Sequence, residues 1–171
     1  MSAAPPLPEL RRTAVVDFLF LDLSRCERCQ SSGANIDTAL ATIDGILDAT
    51  GARVELHRIQ VADIEQAREL RFVSSPTIRV NGRDIAPELR ESECGANGCG
   101  CGPGASCRSW RYGGREYPEA PVGLIVDAIL SALYAGEGHA LSAAPAYELP
   151  DNLRRVFAAK EAGASEGGCC G

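Results

Sequence analysis

Two cysteines three positions apart, Cys26-Glu27-Arg28-Cys29, follow an apolar run near the start of the chain, and their types and spacing are those of a redox pair. Thiolate is the attacking species in thiol–disulfide exchange, and cysteines at this separation can close a small disulfide ring. Arg25 and Arg28 flank Cys26 against the single opposing charge of Glu27, and positive neighbours raise the reactive thiolate fraction. Cys26 stands nearer the exposed end of the preceding strand, so it is the expected nucleophile and Cys29 the resolving thiol. The same spacing can form half of a zinc site. A strand-helix-strand setting favours the redox alternative.

Six further cysteines fall into two groups. Cys94, Cys99, Cys101 and Cys107 lie within 14 residues, with five glycines among them. Four thiolates can enclose Zn²⁺, hold an iron–sulfur cluster or pair as two disulfides, and glycine permits the tight turns that wrapping a metal needs. A metal-stapled loop and a second thiol relay near Cys26 are equally compatible with this spacing. Cys169 and Cys170 end the chain as adjacent thiols, a pairing suited to soft ions such as Cu(I), Hg(II) or As(III). Exchange itself requires no cofactor, and zinc is the one the insert could hold.

Other chemistries lack support. Seventeen Lys and Arg against 23 Asp and Glu give a net charge of −6, which disfavours nucleic-acid binding. His57 reads as a solvated strand residue and His139 as part of a linker, so no Cys–His hydrolase is visible. No Walker loop, dinucleotide fingerprint or HExxH is present. No stretch approaches the ~20 apolar residues that span a bilayer. Arg11-Arg12 precedes an apolar run, but Asp17 and Asp22 interrupt it, which makes a buried strand a better reading than an export signal. A cytoplasmic protein follows as the expectation, where reduced thiols serve redox or metal chemistry rather than structural disulfides.

The elements that must position Cys26 and Cys29 are readable from the pattern. Residues 1–12 form a Pro- and Ala-rich leader. Ala14 to Leu23 is nearly all apolar and suits a strand covered on both faces. After the polar stretch QSSGAN, Asn35 is the expected N-cap of a helix carrying Ile36, Leu40, Ile43 and Leu47, closed by Gly51. Cys26 and Cys29 would then lie on a loop or a broken turn, and a loop weakens stabilisation by the helix dipole. Ala52 to Val61 alternates, with a phase slip near Arg58 that suggests a bulge. Asp63 can cap a short helix through Leu70. Asn81-Gly82 between β-prone runs predicts a type I′ hairpin. From Glu91 to residue 120 the pattern dissolves into the cysteine-rich insert, and Val122 to Tyr134 resumes as an apolar helix. Residues 137–161 read as linker and a short helix, with Leu153, Val156 and Phe157 as an apolar face that could meet a partner. Residues 162–171 form a tail.

The order β-α-β-α-β-β-α predicts an α/β domain over 13–136, a mixed sheet of about four strands flanked by helices. CERC after the first strand and Ser75-Pro76-Thr77 after the second helix together resemble the paired signature of thioredoxin-like proteins. That resemblance implies a thioredoxin-like fold, a cis-proline loop packed against the CxxC, and Ser75 and Pro76 as residues shaping a site for extended substrates. The run from Val15 to Ile129, with Cys107-Arg-Ser-Trp110, YGGREYPEAP and GLIVDAIL, also looks like a little-characterised bacterial family of thioredoxin-like domains, and LPDNLRRVF resembles its C-terminal appendage. Thiol–disulfide exchange, leaning to an oxidoreductase, is the expected function, with a protein or small-molecule disulfide as partner and no membrane or nucleic acid. Soft-metal handling is the alternative. Exchange chemistry demands that Cys26 lie outside deep apolar packing and close to Pro76.

Overall fold

The computed structural model describes residues 12–86, 88–93, 106–135 and 146–165. Its main sheet holds β1 (Thr13–Phe20), β2 (Arg53–Gln60), β3 (Thr77–Val80) and β4 (Arg83–Asp84) in the order β2-β1-β3-β4. β1 runs parallel to β2 and antiparallel to β3, which runs antiparallel to β4. The apolar β1 therefore sits inside the sheet, as its composition predicts, with Ala14, Val16, Phe18 and Leu19 fully buried. Asn81 and Gly82 turn between β3 and β4, both with positive φ, as a type I′ turn requires.

Two faces of this sheet are distinguishable from side-chain direction. Phe18 opposes Ile78 across the β1–β3 pair and packs beside Gly33 of α1 (Glu27–Thr50). Asp17 and Arg79, opposed one position along, point the other way. Arg79 donates to the carbonyls of Leu70 and Arg71, which end the short helix α2 (Ile64–Glu69). The end of α2 thus lies over the face opposite α1. Asp63 caps α2 by accepting from the Gln66 N–H, as expected. α3 (Val122–Tyr134), which buries Ile125, Ile129 and Leu133, packs against α1.

The predicted break in the first helix is absent. α1 is continuous from Glu27, and its N-cap is Cys26 rather than Asn35. Three polar or small residues that suggested a loop serve tertiary packing instead. The Asn35 side chain donates to Ala120 O at 2.8 Å, and Ser32 Oγ accepts from the Ala120 N–H at 3.1 Å. At Gly33 a Cβ would come within 3.3 Å of the buried Phe18 ring and 3.2 Å of the Arg58 guanidinium. A mid-helix glycine costs about 1 kcal/mol relative to alanine, and close helix–sheet approach is the reason it is tolerated here. Gly33→Leu is expected to destabilise by about 1–3 kcal/mol through overpacking. A urea midpoint unchanged from wild type would show that the helix does not sit this close.

The predicted bulge in β2 is also absent. Eight consecutive residues of β2 pair with β1 from Thr13↔Arg53 to Phe20↔Gln60 without a slip. The phase change arises because Arg58 takes an apolar position. Its guanidinium lies 5.9 Å from the Phe18 ring centroid and donates to Asp37 at 2.6 Å, so its stem covers the sheet while its charge reaches solvent. His57 is exposed, with Nδ1 2.9 Å from Asp17.

A second, three-stranded antiparallel sheet forms within the segment where no pattern was legible: β5 (Arg90–Glu93), β6 (Ser106–Tyr112) and β7 (Arg115–Tyr117), in that order. Gly113 and Gly114, both at positive φ, make its second turn. α4 (Asp151–Ser165) runs beyond the expected short helix. Its apolar residues Leu153, Val156 and Phe157 are buried in this chain's own core, so they are not a face left open for a partner.

Candidate functional site

The turn into the CxxC is set by Asp22. Its carboxylate accepts from both the hydroxyl and the N–H of Ser24, at 2.6 and 2.7 Å. Those bonds, led by the hydroxyl, hold the Asp22 carboxyl below its ordinary pKa despite some opposing desolvation. Gln30 then donates to Leu23 O, and the Gln30 N–H donates to Cys26 O at 2.9 Å, starting the helix. Cys26 Sγ accepts from the Cys29 N–H at 3.3 Å. A sulfur in this position occupies the side-chain role of a helix N-cap, facing backbone donors that no carbonyl of the helix satisfies.

Ser75 and Pro76 are brought to the same place. β1 and β3 are antiparallel neighbours, and Leu19 opposes Thr77. The residues just after β1 and just before β3 therefore share one end of the sheet. The Ser75–Pro76 peptide is cis. Ser75 Oγ lies 3.4 Å from Cys29 Sγ, with either atom able to donate, and also accepts from the Leu21 N–H at 3.1 Å. Exchange chemistry sets two spatial conditions on Cys26; for the first, nearness to the proline loop, the contact found is that of its neighbour Cys29 with Ser75.

The other condition, Cys26 outside deep apolar packing, is not met. Cys26 and Cys29, both thiols, have no exposed surface and belong to the continuous core. Cys26 was expected at an exposed strand end, but the second sheet meets the motif from outside. Arg28 donates to Ser92 Oγ at 2.7 Å and to Glu93 O at 3.4 Å. It thus fastens β5 to the motif, rather than standing beside the Cys26 sulfur as a bare charge. Arg25 is exposed. On the proline side, the Arg108 N–H of β6 donates to Ser75 O at 2.9 Å.

Arg108 itself escaped sequence reading. Its side chain is 1% exposed and grips Asp84 with both terminal nitrogens, at 2.7 and 2.9 Å. It also donates to Thr77 Oγ1 and Ala86 O, and its guanidinium lies 4.6 Å from the Trp110 ring centroid. Ser74 donates to Glu91 of β5 at 2.7 Å, and Asn152 of α4 bonds both Glu91 and the Ser106 backbone. These contacts bolt the second sheet across the end of the main one. An arginine among cysteines and glycines gives no hint of burial. The one available signal was Gly113-Gly114 between two short β-prone runs, which marks a hairpin.

Cys107 is buried on β6 and is disulfide-bonded. Cys94, Cys99, Cys101, Cys169 and Cys170 lie outside the described residues, as do the leader at 1–11 and His139. Among the described residues, no group of three or more His, Cys, Asp or Glu side chains is placed to hold a metal ion. None of the described helices is long and apolar enough to cross a membrane.

The architecture and the motif define an α/β domain with a dithiol on the first helical turn, set beside a cis-proline loop and covered by a small second sheet. The chain belongs to the family described as Domain of unknown function (DUF2703), whose model matches residues 15–129. No curated protein and no solved structure matches it.

Proposed function

We propose that this protein carries out thiol–disulfide exchange at a thioredoxin-like site, with Cys26 as nucleophile and Cys29 as resolving thiol. The observation that carries the reading is the convergence of three features at one sheet end: Cys26 capping α1, Cys29 3.4 Å from Ser75 Oγ, and the cis bond that follows Ser75. The sheet order β2-β1-β3-β4 with antiparallel β3 supports the thioredoxin-like comparison.

In the exchange, the Cys26 thiolate attacks one sulfur of a substrate disulfide, and the other sulfur leaves as a thiolate. Cys29 then attacks Cys26 in the mixed disulfide, closing the Cys26–Cys29 bond and releasing the reduced substrate. The Cys29 N–H, already aimed at Cys26 Sγ, supplies a hydrogen bond that a thiolate there would retain. Neither sulfur has exposed surface, so an outside disulfide reaches Cys26 only when the packing around the motif gives way.

Insulin reduction driven by dithiothreitol tests the proposal. Wild type is expected to accelerate it, Cys26→Ser to fall to the rate without protein, and Cys94→Ser to remain active. Activity that survives Cys26→Ser would remove the assignment.

A further inference from the structure

Burial of a reactive dithiol beneath its own chain raises the question of which disulfide it meets. Two independent contacts bring the strand segment around Cys107 to the motif. In the first, Ser92 and Cys107 are directly opposed across the β5–β6 pair. Their side chains therefore share one face of that sheet, with Cβ atoms about 4.5–5.5 Å apart. Ser92 Oγ on that face accepts from Arg28, one of the two residues between the cysteines of the motif. In the second, Arg108, the residue after Cys107, gives its backbone N–H to Ser75 O, while Ser75 Oγ touches Cys29 Sγ. Arg108 and Trp110 project from the other face of β6, where Arg108 meets Asp84. Cys107 is thus left on the face of β6 shared with Ser92, the residue that meets Arg28 of the motif, and is 1% exposed.

We propose that Cys107 is the internal exchange partner of the Cys26–Cys29 dithiol, so that the second sheet presents a disulfide to the site in the manner of a docked substrate strand. This rests on the exchange function proposed above and names its first substrate as part of the same chain. The step balances within the molecule. The Cys26 thiolate attacks Cys107 Sγ, the existing disulfide of Cys107 breaks, and the sulfur bonded to it leaves as a thiolate. Cys29 then displaces Cys107 from Cys26. One dithiol is oxidised and one disulfide reduced, two electrons pass, and the protons lost by Cys26 and Cys29 match those taken up by the released pair. No outside oxidant takes part in the transfer.

Removal of the resolving sulfur tests this, because the mixed disulfide then accumulates. Cys29→Ser protein is alkylated with N-ethylmaleimide in acid and digested with trypsin without reduction. Cys26 leaves in the tripeptide 26–28 and Cys107 in the peptide 91–108. The expected result is a bond between these two peptides in Cys29→Ser and its loss in Cys29→Ser/Cys107→Ser. The second variant is needed because peptide 91–108 carries three other cysteines. A bond that persists without Cys107 overturns the proposal. So does the lack of an internal bond in a Cys29→Ser protein that still forms a Cys26 mixed disulfide with added bis(2-hydroxyethyl) disulfide. If neither bond forms while far-UV circular dichroism matches wild type, exchange at Cys26 and its internal partner fall together.

Discussion

Asp84→Ala is expected to destabilise the protein by about 3 kcal/mol, because it strands a buried charge. Breaking a buried ion pair by removing one partner typically costs about 3–5 kcal/mol, since the remaining ion has lost water without gaining a counter-charge. The Arg108 side chain is 1% exposed, and Asp84 takes both of its terminal nitrogens. The Asp84 side chain keeps 27% exposure, so water partly screens the pair and the lower end of that range applies. Thr77 Oγ1 and Ala86 O would still accept from the guanidinium, but neither carries charge. Urea unfolding of wild type and Asp84→Ala measures the loss. Asp84→Asn, which keeps an acceptor, should lose less. Arg108→Met/Asp84→Leu should recover much of the stability, since apolar pairs of similar volume often replace buried ions without loss. A change under about 0.5 kcal/mol for Asp84→Ala, the size usual for an ordinary surface position, would mean that Arg108 does not rely on this carboxylate. The same variant should also speed alkylation of Cys26 and Cys29 by iodoacetamide under native conditions, because Arg108 holds β6 on Ser75.

The parts of the fold legible in the sequence are those where local pattern and tertiary demand agree. Apolar β1, the Asp63 cap, the Asn81-Gly82 turn and the apolar run Val122–Tyr134 each carry their own signal, and each forms there, although β1 stops at Phe20 and does not run on to Leu23. The approach of CERC to Ser75-Pro76 follows from topology alone, since antiparallel β3 starts at the sheet end where β1 finishes. What misleads is small or polar residues serving long-range packing. Ser32, Gly33 and Asn35 look like a helix break, yet each answers to Ala120 or Phe18, residues far away in sequence or on another element. Arg58 interrupts the alternation of β2 for a similar reason. Arg108, Glu91 and Asn152, which fix the second sheet, are charged or amide residues in a glycine-rich or linker setting, where exposure is the ordinary outcome. The sheet that meets Arg28 and Ser75 beside the motif is for the same reason not legible in advance.

The role of α4 is open to an equally direct test, because an apolar helix face can belong either to a core or to an interface. Leu153 has no exposed surface, Val156 and Phe157 keep 2% and 3%, and Leu149 just before the helix keeps 6%. Tyr147 ties the approach to α4 down by donating from its hydroxyl to Phe72 O at 2.7 Å, next to the end of α2. Burial is the largest influence on the Tyr147 phenol, and it pushes its pKa upward. Leu153→Ala is therefore expected to cost about 3 kcal/mol, from the transfer energy of the lost methyl groups together with the cavity they leave. Arg155, exposed on the opposite side of the helix, should change stability by less than about 0.5 kcal/mol when replaced by alanine. A helix held ready for a separate partner would give the reverse pattern, with Leu153→Ala nearly silent in the isolated chain. The measurement is the urea midpoint of each variant at matched protein concentration. Because Asn152, one residue before Leu153, also grips Ser106 and Glu91, loosening α4 should weaken the second sheet as well. Native-state alkylation of Cys26 and Cys29 in Leu153→Ala should then rise in step with the fall in stability. Unchanged alkylation beside a large loss of stability would show that α4 supports the core without supporting the cover over the dithiol.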